Sequence, residues 1–412
     1  MTDTTDSSSG LRSLPRNVWA LGLTSFFTDI SSEMVFNLLP LFLLNVIGVR
    51  TSLIGLIEGI AETTASLLKI FSGYLSDRLG KRKWLTTSGY GLSAVSKPLL
   101  YFANTWVWVL GVRFVDRVGK GIRTAPRDAL IADSVTPETR GLSFGLHRAA
   151  DTAGAMLGMI IAAGVVWATQ AELRTLERRT FQDIVLISII PGLLGVLSVV
   201  VGARDPDGQQ KPAMLPSLSL KGFDVRFKAF LFIVVLFTLG NSSDAFLILR
   251  AQERGLTVLQ VMEMLISFTL IYTLVSTPAG ALSDRIGRRK LVIGGWLVYG
   301  VIYLGFASAQ TGWQVWVLFA LYGFYYGLVE GTAKAFVADL VPAEQRGTAY
   351  GVYNAAVGLT AFPASFIAGL LWQGAGAWAG FGASAPFYFG AALAILAVGL
   401  FGLWLPKLGN KV

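Results

Sequence analysis

The chain of 412 residues is 53% hydrophobic and only 14% charged, with a mean hydropathy of +0.60, so its apolar surface needs lipid to cover it rather than one or two soluble cores. It has no cysteine and a single histidine, His147, which argues against disulfides, thiolate metal sites and imidazole-built zinc centres, and no metal or other cofactor is expected. The net charge of +9 sits in short basic clusters between apolar runs, not in a basic, aromatic-interleaved soluble module; it reads as a topology signal for a lipid bilayer and argues against nucleic acid as a partner.

The first stretch, MTDTTDSSSGLRSLPR (residues 1–16), is polar, has no cleavable signal pattern and is expected to be a cytoplasmic tail. About twelve apolar segments of roughly 20 residues or more follow, the length that a bilayer core demands of a helix. They lie near 17–47, 52–76, 84–103, 105–127, 140–168, 181–202, 227–250, 256–283, 290–309, 312–336, 346–372 and 385–405. Between the sixth and seventh runs ARDPDGQQKPAMLPSLSLKGFDVRFK, rich in Pro, Gly and charge, which predicts a cytoplasmic linker over 203–226 between bundles at 17–202 and 227–405. A short tail, 406–412, closes the chain. With both termini cytoplasmic, the basic clusters at Arg78 to Lys83, in the linker, at Arg285 to Lys290 and at Lys407 and Lys411 share one side. The stretch QAELRTLERRTFQ is the exception, placing Arg174, Arg178 and Arg179 outside.

Two stretches occur twice at nearly the same displacement. GYLSDRLGKRKW (Gly73 to Trp84) returns as GALSDRIGRRKL (Gly280 to Leu291), and ALIADSVTPETRG (Ala129 to Gly141) as AFVADLVPAEQRG (Ala335 to Gly347), which indicates a duplication. A looser match sets SSEM at Ser31 against SSDA at Ser242 and needs a gap. Each half then has six helices, with the charged turn joining its second and third. Glycine at Gly73, Gly80, Gly280 and Gly287 suits close helix packing and a sharp helix exit. Asp77 and Asp284 are short acceptors, while Arg78, Arg82 and Arg285 belong to the headgroup region.

Two six-helix halves carrying G-x-L-x-D-R-x-G-R-K between helices two and three resemble the major facilitator superfamily. The resemblance implies an all-α integral membrane protein, with twelve transmembrane helices in two six-helix pseudo-symmetric bundles around a central cavity and alternating access to a site near the midplane. It also implies that the charged turns form a cytoplasmic gate that breaks and remakes contacts in each cycle.

Ionisable groups inside a bilayer are costly and usually face a cavity or one another. The first half holds Asp29, Glu33, Glu58, Glu62, Lys69, Lys97, Arg113, Asp116, Arg117, Lys120, Arg123, Arg148 and Asp151; the second holds Asp244, Glu330 and Lys334. Arg113, Asp116, Arg117, Lys120, Arg123 and Arg127 recur at three- and four-residue steps and form one stripe, which the acidic pair Asp29 and Glu33 could oppose across a cavity. RVGKGIRTA, with Arg117 and Gly121, resembles the R-x-x-Q-G-x-G-x-A element of proton-coupled members, with Lys120 in place of Gln and Arg123 in place of Gly. That resemblance implies a part for Arg117 in proton coupling. Asp29 and Glu33 are the first choice as proton carriers. Glu58 is expected nearer the outer surface, and Glu62 deeper, where it could pair with Lys69. Arg148 and Asp151 could satisfy each other, and Arg123 and Arg127 are expected to snorkel. Asp244 and Glu330, isolated in their half, read as functional.

Gly145, Gly154 and Gly158 resemble the antiporter element G-x8-G-x3-G-P-x2-G-G, whose glycines pack tightly against the opposite half; Met159 replaces its proline, and Ala162 with Ala163 its glycine pair. No catalytic constellation and no G-x-x-x-x-G-K-[ST] loop is present, so no enzyme activity or ATP use is expected. The reading is a monomeric secondary transporter of the plasma membrane (a bacterial inner membrane) that exports a small organic or amphipathic solute in exchange for protons. The alternative, motivated by the basic stripe, is a symporter or facilitator for an organic anion.

Overall fold

A computed structural model describes residues 11, 14–205, 219–342 and 345–403. The expected tails and the middle of the expected linker fall largely outside these residues. The chain is a bundle of α-helices. In order they are α1 (Arg16–Phe36), α2 (Leu39–Phe42), α3 (Thr51–Leu79), α4 (Arg82–Ser96), α5 (Trp106–Asp133), α6 (Pro137–Gln170), α7 (Arg178–Gly202), α8 (Val225–Gly240), α9 (Ala245–Glu253), α10 (Val258–Ile286), α11 (Arg288–Ser308), α12 (Gly312–Asp339), α13 (Arg346–Gln373) and α14 (Ala385–Leu403). Two crossings are broken. α1 continues through α2 and a π-helical turn at Leu43–Ile47, and α8 continues into α9 after Asn241 to Asp244. Counting each broken crossing once gives the expected twelve spans.

By length and apolarity alone, eight stretches would cross a membrane. The remaining crossings are α3, α4, α5 and α12, and their shortfall has a physical cause. α3 and α5 carry most of the intramembrane charge, α4 is short, and α12 carries glutamine, tyrosines, Glu330 and Lys334. Polar side chains that face protein rather than lipid lower apolarity without preventing insertion.

Local chemistry sets the ends. Thr105 caps α5 by accepting from the Trp108 N–H, and Thr257 with Gln260 and Thr311 with Gln314 form capping boxes at α10 and α12. The repeated turn ends α3 at Gly80 (φ +63°) and α10 at Gly287 (φ +92°), both at a positive φ that favours glycine, although only Gly80 is in the left-handed helical conformation. Buried Arg250 on α9 donates to the carbonyls of Phe306 (3.0 Å), Ala307 (3.0 Å) and Ala309 (3.3 Å), satisfying the end of α11, while Glu253 neutralises it at 2.7 Å.

Within the first half α1 packs on α6 and α7, and α5 on α3 and α4; within the second, α12 packs on α10 and α11, and α14 on α8 and α11. The halves meet chiefly through α3 against α13 and α6 against α10. At Gly55, Gly59 and Gly369 a methyl group would run into the backbone of the opposing half, so the α3–α13 contact depends on missing side chains. Hydrogen bonds also join the halves at the end remote from the termini. There Thr51 N–H donates to Gln373 (2.8 Å), Arg50 to the Gly376 carbonyl (2.8 Å), Gln252 to the Arg174 carbonyl (2.5 Å) and Val258 N–H to the Leu173 carbonyl (3.1 Å). Arg178, one of the arginines that broke the charge pattern, also works at this end, donating to the Ala103 carbonyl at 2.8 Å.

Candidate functional site

Between the halves lies a cavity of about 430 Å³. The first half lines it with Asp29, Glu33, Glu58, Glu62, Asp116 and the cations Arg113, Arg117, Lys120 and Arg123; the second contributes Asn241, Ser242, Ser243, Asp244 and Tyr326. The α8–α9 break exposes these backbone and side-chain polar groups where they meet the cavity, a depth at which irregular backbone is tolerated. Ser32 and Glu33 of SSEM face the same cavity as Ser242 to Asp244 of SSDA, its looser match in the second half.

The stripe on α5 is real, but its charges are distributed unequally. Arg113 bonds Glu58 at 2.8 Å, both side chains almost fully buried, and lies 4.3 Å over the Phe36 ring. Arg117 bonds Glu62 at 2.9 Å. Glu58 is buried, and Glu62 does not pair with Lys69: α3 and α5 cross closely enough for both glutamates to reach the arginines opposite. Arg123 does not snorkel either; it donates to Ser93 at 2.6 Å and lies 4.4 Å from the Tyr90 ring. Arg127 is held by Asp128 at 2.8 Å. Lys120 is exposed to the cavity and, among the described residues, makes no ion pair.

On the carboxylate side, Glu33 accepts from Asn37 at 2.9 Å, and Asp244 accepts from Tyr322 at 3.2 Å. Glu330 departs from expectation. It lines a separate cavity with Arg148, Tyr272 and Lys334, where Tyr272 donates to it at 2.8 Å and Lys334 pairs with it at 3.1 Å. Arg148 reaches across the halves to Tyr272 (2.5 Å) and Glu330 (3.9 Å) instead of pairing with Asp151, which accepts from Ser25.

The repeated turns hold their charges within each half. Arg82 bonds Asp77 (3.1 Å) and Asp133 (2.8 Å), and Arg288 bonds Asp339 (2.6 Å), so the second pair repeats Arg82–Asp133. Arg78 and Arg285 are exposed. The surroundings of Gly280 and the side chain of Asp284 are not among the described parts of the chain. The glycines of α6 also act differently from expectation: Gly154 and Gly158 pack against the backbones of Phe26 and Ile30 on α1, in their own half, and Gly145 faces open space.

Sequence reasoning missed two parts of the site. Asn241 carries no charge and so escaped a search for ionisable groups, yet its side-chain oxygen accepts from Tyr299 at 3.3 Å and Tyr322 at 3.4 Å. Lys97 was noted in the membrane without a role; it is buried and donates to Ser31 (2.8 Å) and Ser32 (3.0 Å), tying α1 to the end of α4 behind the cavity.

A model of the Major Facilitator Superfamily matches residues 21–249 and 229–411. The chain belongs to this superfamily. An uncharacterised MFS-type transporter of Methanocaldococcus jannaschii is 38% identical over 93% of this chain and 94% of its own length. The multidrug resistance protein MdtH of Cronobacter sakazakii is 26% identical over 77% of each chain, and the multi-drug resistance efflux pump PmrA of Streptococcus pneumoniae 24% over 77% of this chain and 79% of its own. Among solved structures, a POT family transporter in complex with 5-aminolevulinic acid has a TM-score of 0.80 at 13% identity, covering 98% of each chain. The nucleoside transporter NupG has a TM-score of 0.75 at 12% identity, covering 96% of this chain and all of its own. At such identities the likeness is one of fold. As a member of the superfamily the protein is a multi-pass membrane transporter of small molecules, not an enzyme.

Proposed function

We propose that this superfamily member is a proton-coupled exporter of cationic or amphipathic organic solutes, working by alternating access, with both termini in the cytoplasm of a bacterial cell. The observation that carries this reading is the charge balance of the central cavity. Six carboxylates and four cations line it, and two of the cations are already neutralised by Glu58 and Glu62. A surplus of carboxylates in a membrane cavity must be protonated, hydrated or matched by a cationic cargo. The basic stripe that motivated the organic-anion alternative thus loses part of its free charge; Lys120 and Arg123 are what still favour it. The names of the MdtH and PmrA relatives support export. Closure at the end remote from the termini then corresponds to an inward-facing state, with Asp29, Glu33 and Asp244 on the proton and solute path and the repeated turns as the gate that forms when the cytoplasmic side closes.

Proteoliposomes with an imposed pH gradient test this reading, with ethidium as cationic probe and carboxyfluorescein as anionic probe. Ethidium moving against the proton flow is the expected result. Movement of carboxyfluorescein alone, in the direction of the protons, would replace this reading with the anion symporter.

A further inference from the structure

The closest approach of α6 to α1 has a consequence for proton movement. A methyl group at Gly154 or Gly158 would collide with the backbone of Phe26 or Ile30, so these glycines bring the two helices together without intervening side chains. Asp29 lies between Phe26 and Ile30 in sequence, and Asp151 stands one turn before Gly154, so the same contact brings both residues to the wall of one cavity. Asp151 accepts from the hydroxyl of Ser25, which stands one turn before Asp29 on α1. Both line a cavity of about 510 Å³ that shares Asp29, Glu33, Lys120 and Arg123 with the central one and extends to Arg127 and Arg148. Lys69 of α3, Asp128 of α5 and Tyr272 of α10 complete the charged and titratable groups of that wall. A second observation points the same way. His147, one turn before Asp151 on the same face of α6, is 4% exposed, and its Nε2 has no hydrogen-bond partner among the described residues.

We propose that Asp151 and Asp29 act as one proton-carrying pair, with His147 as the relay between that pair and the face bearing the termini. Two carboxyl groups facing one membrane cavity hold a single shared proton at lower cost than two negative charges. With the cavity open to one face, a hydronium ion there gives its proton to the pair, forming one O–H bond and leaving water. After the cavity reopens to the face bearing the termini, that O–H breaks as the His147 Nε2 takes the proton, and the new N–H breaks in turn when a water at that face takes it. One proton crosses per cycle, and the pair and His147 end it in the protonation state in which they began. The proposal rests on the proton-coupled reading above and adds Asp151 and His147 to it.

Infrared difference spectroscopy between acidic and alkaline pH, on the full chain in lipid, tests the pair without needing a substrate. We expect one protonated-carboxyl C=O band that is lost in both Asp29→Asn and Asp151→Asn and shifted in Asp151→Glu. His147→Gln should keep the band but slow its appearance after a pH jump. A band that survives Asp151→Asn unchanged overturns the proposal. If that variant fails to fold, an unshifted band in Asp151→Glu does the same. Normal band behaviour without gradient-driven transport would support the pair while refuting the proton-coupled reading, so the two ideas can fail separately.

Discussion

Glu58→Gln is expected to cost the purified protein about 3–5 kcal/mol, the range for removing one partner of a buried ion pair. The side chains of Arg113 and Glu58 are 5% and 6% exposed and meet at 2.8 Å. Neutralising the glutamate leaves a guanidinium in the protein interior with the Phe36 ring as its main remaining partner, and a ring face offsets only part of a lost ion pair. The Arg113 Nε and Nη1 already lack hydrogen-bond partners among the described residues, so little is available to compensate. The double variant Glu58→Gln with Arg113→Gln should recover most of the loss, because no unmatched charge then remains. Thermal unfolding followed by tryptophan fluorescence measures all three proteins. A single variant as stable as the parent would mean that water reaches this pair freely. The equivalent change at Glu62 should cost less, because its side chain is 45% exposed.

The second large effect concerns coupling. Asp29→Asn combined with Glu33→Gln should reduce gradient-driven transport to the level of empty vesicles while leaving membrane insertion and thermal stability intact. Neither carboxylate is neutralised by an ion pair among the described residues, and both line the central cavity and its extension. Their removal therefore leaves no buried cation stranded, which separates this pair from Glu58. Exchange of labelled for unlabelled ethidium across vesicles without a gradient should persist, since it needs the cavity and the rocking motion but no proton carrier. Unchanged active transport in the double variant would remove both residues from the mechanism.

The contrast between these variants shows what could be read from the sequence. Spans announce themselves through length and apolarity, and the duplication through two matches at nearly one displacement, so the twelve crossings and the turns at Gly80 and Gly287 were legible. The stripe from Arg113 to Arg127 was legible too, because a single helix fixes its own periodicity. Pairing between helices was not. Whether Glu62 meets Lys69 or Arg117, and whether Arg148 meets Asp151 or Glu330, depends on the crossing of α3 with α5 and of α6 with α10, which no spacing within one helix encodes. The glycines of α6 were recognised as packing residues, but the partner they pack against is set by tertiary structure, and it is α1. Asn241 could have been found as a polar, helix-breaking run NSSD inside an apolar segment, a signal that a search restricted to charge passes over.

All of these expectations depend on two halves that rock about the cavity, and distances between the halves report that motion directly. The absence of cysteine lets spin labels be placed at Glu172 and Gln310, exposed at the end remote from the termini, and in a second protein at Lys81 and Lys290, exposed at the opposite end. Pulsed electron resonance in lipid should show two distances for each pair, with the remote pair lengthening as the other shortens when pH changes or ethidium is added. One fixed distance for each pair under every condition, with the remote end always closed, would contradict the account.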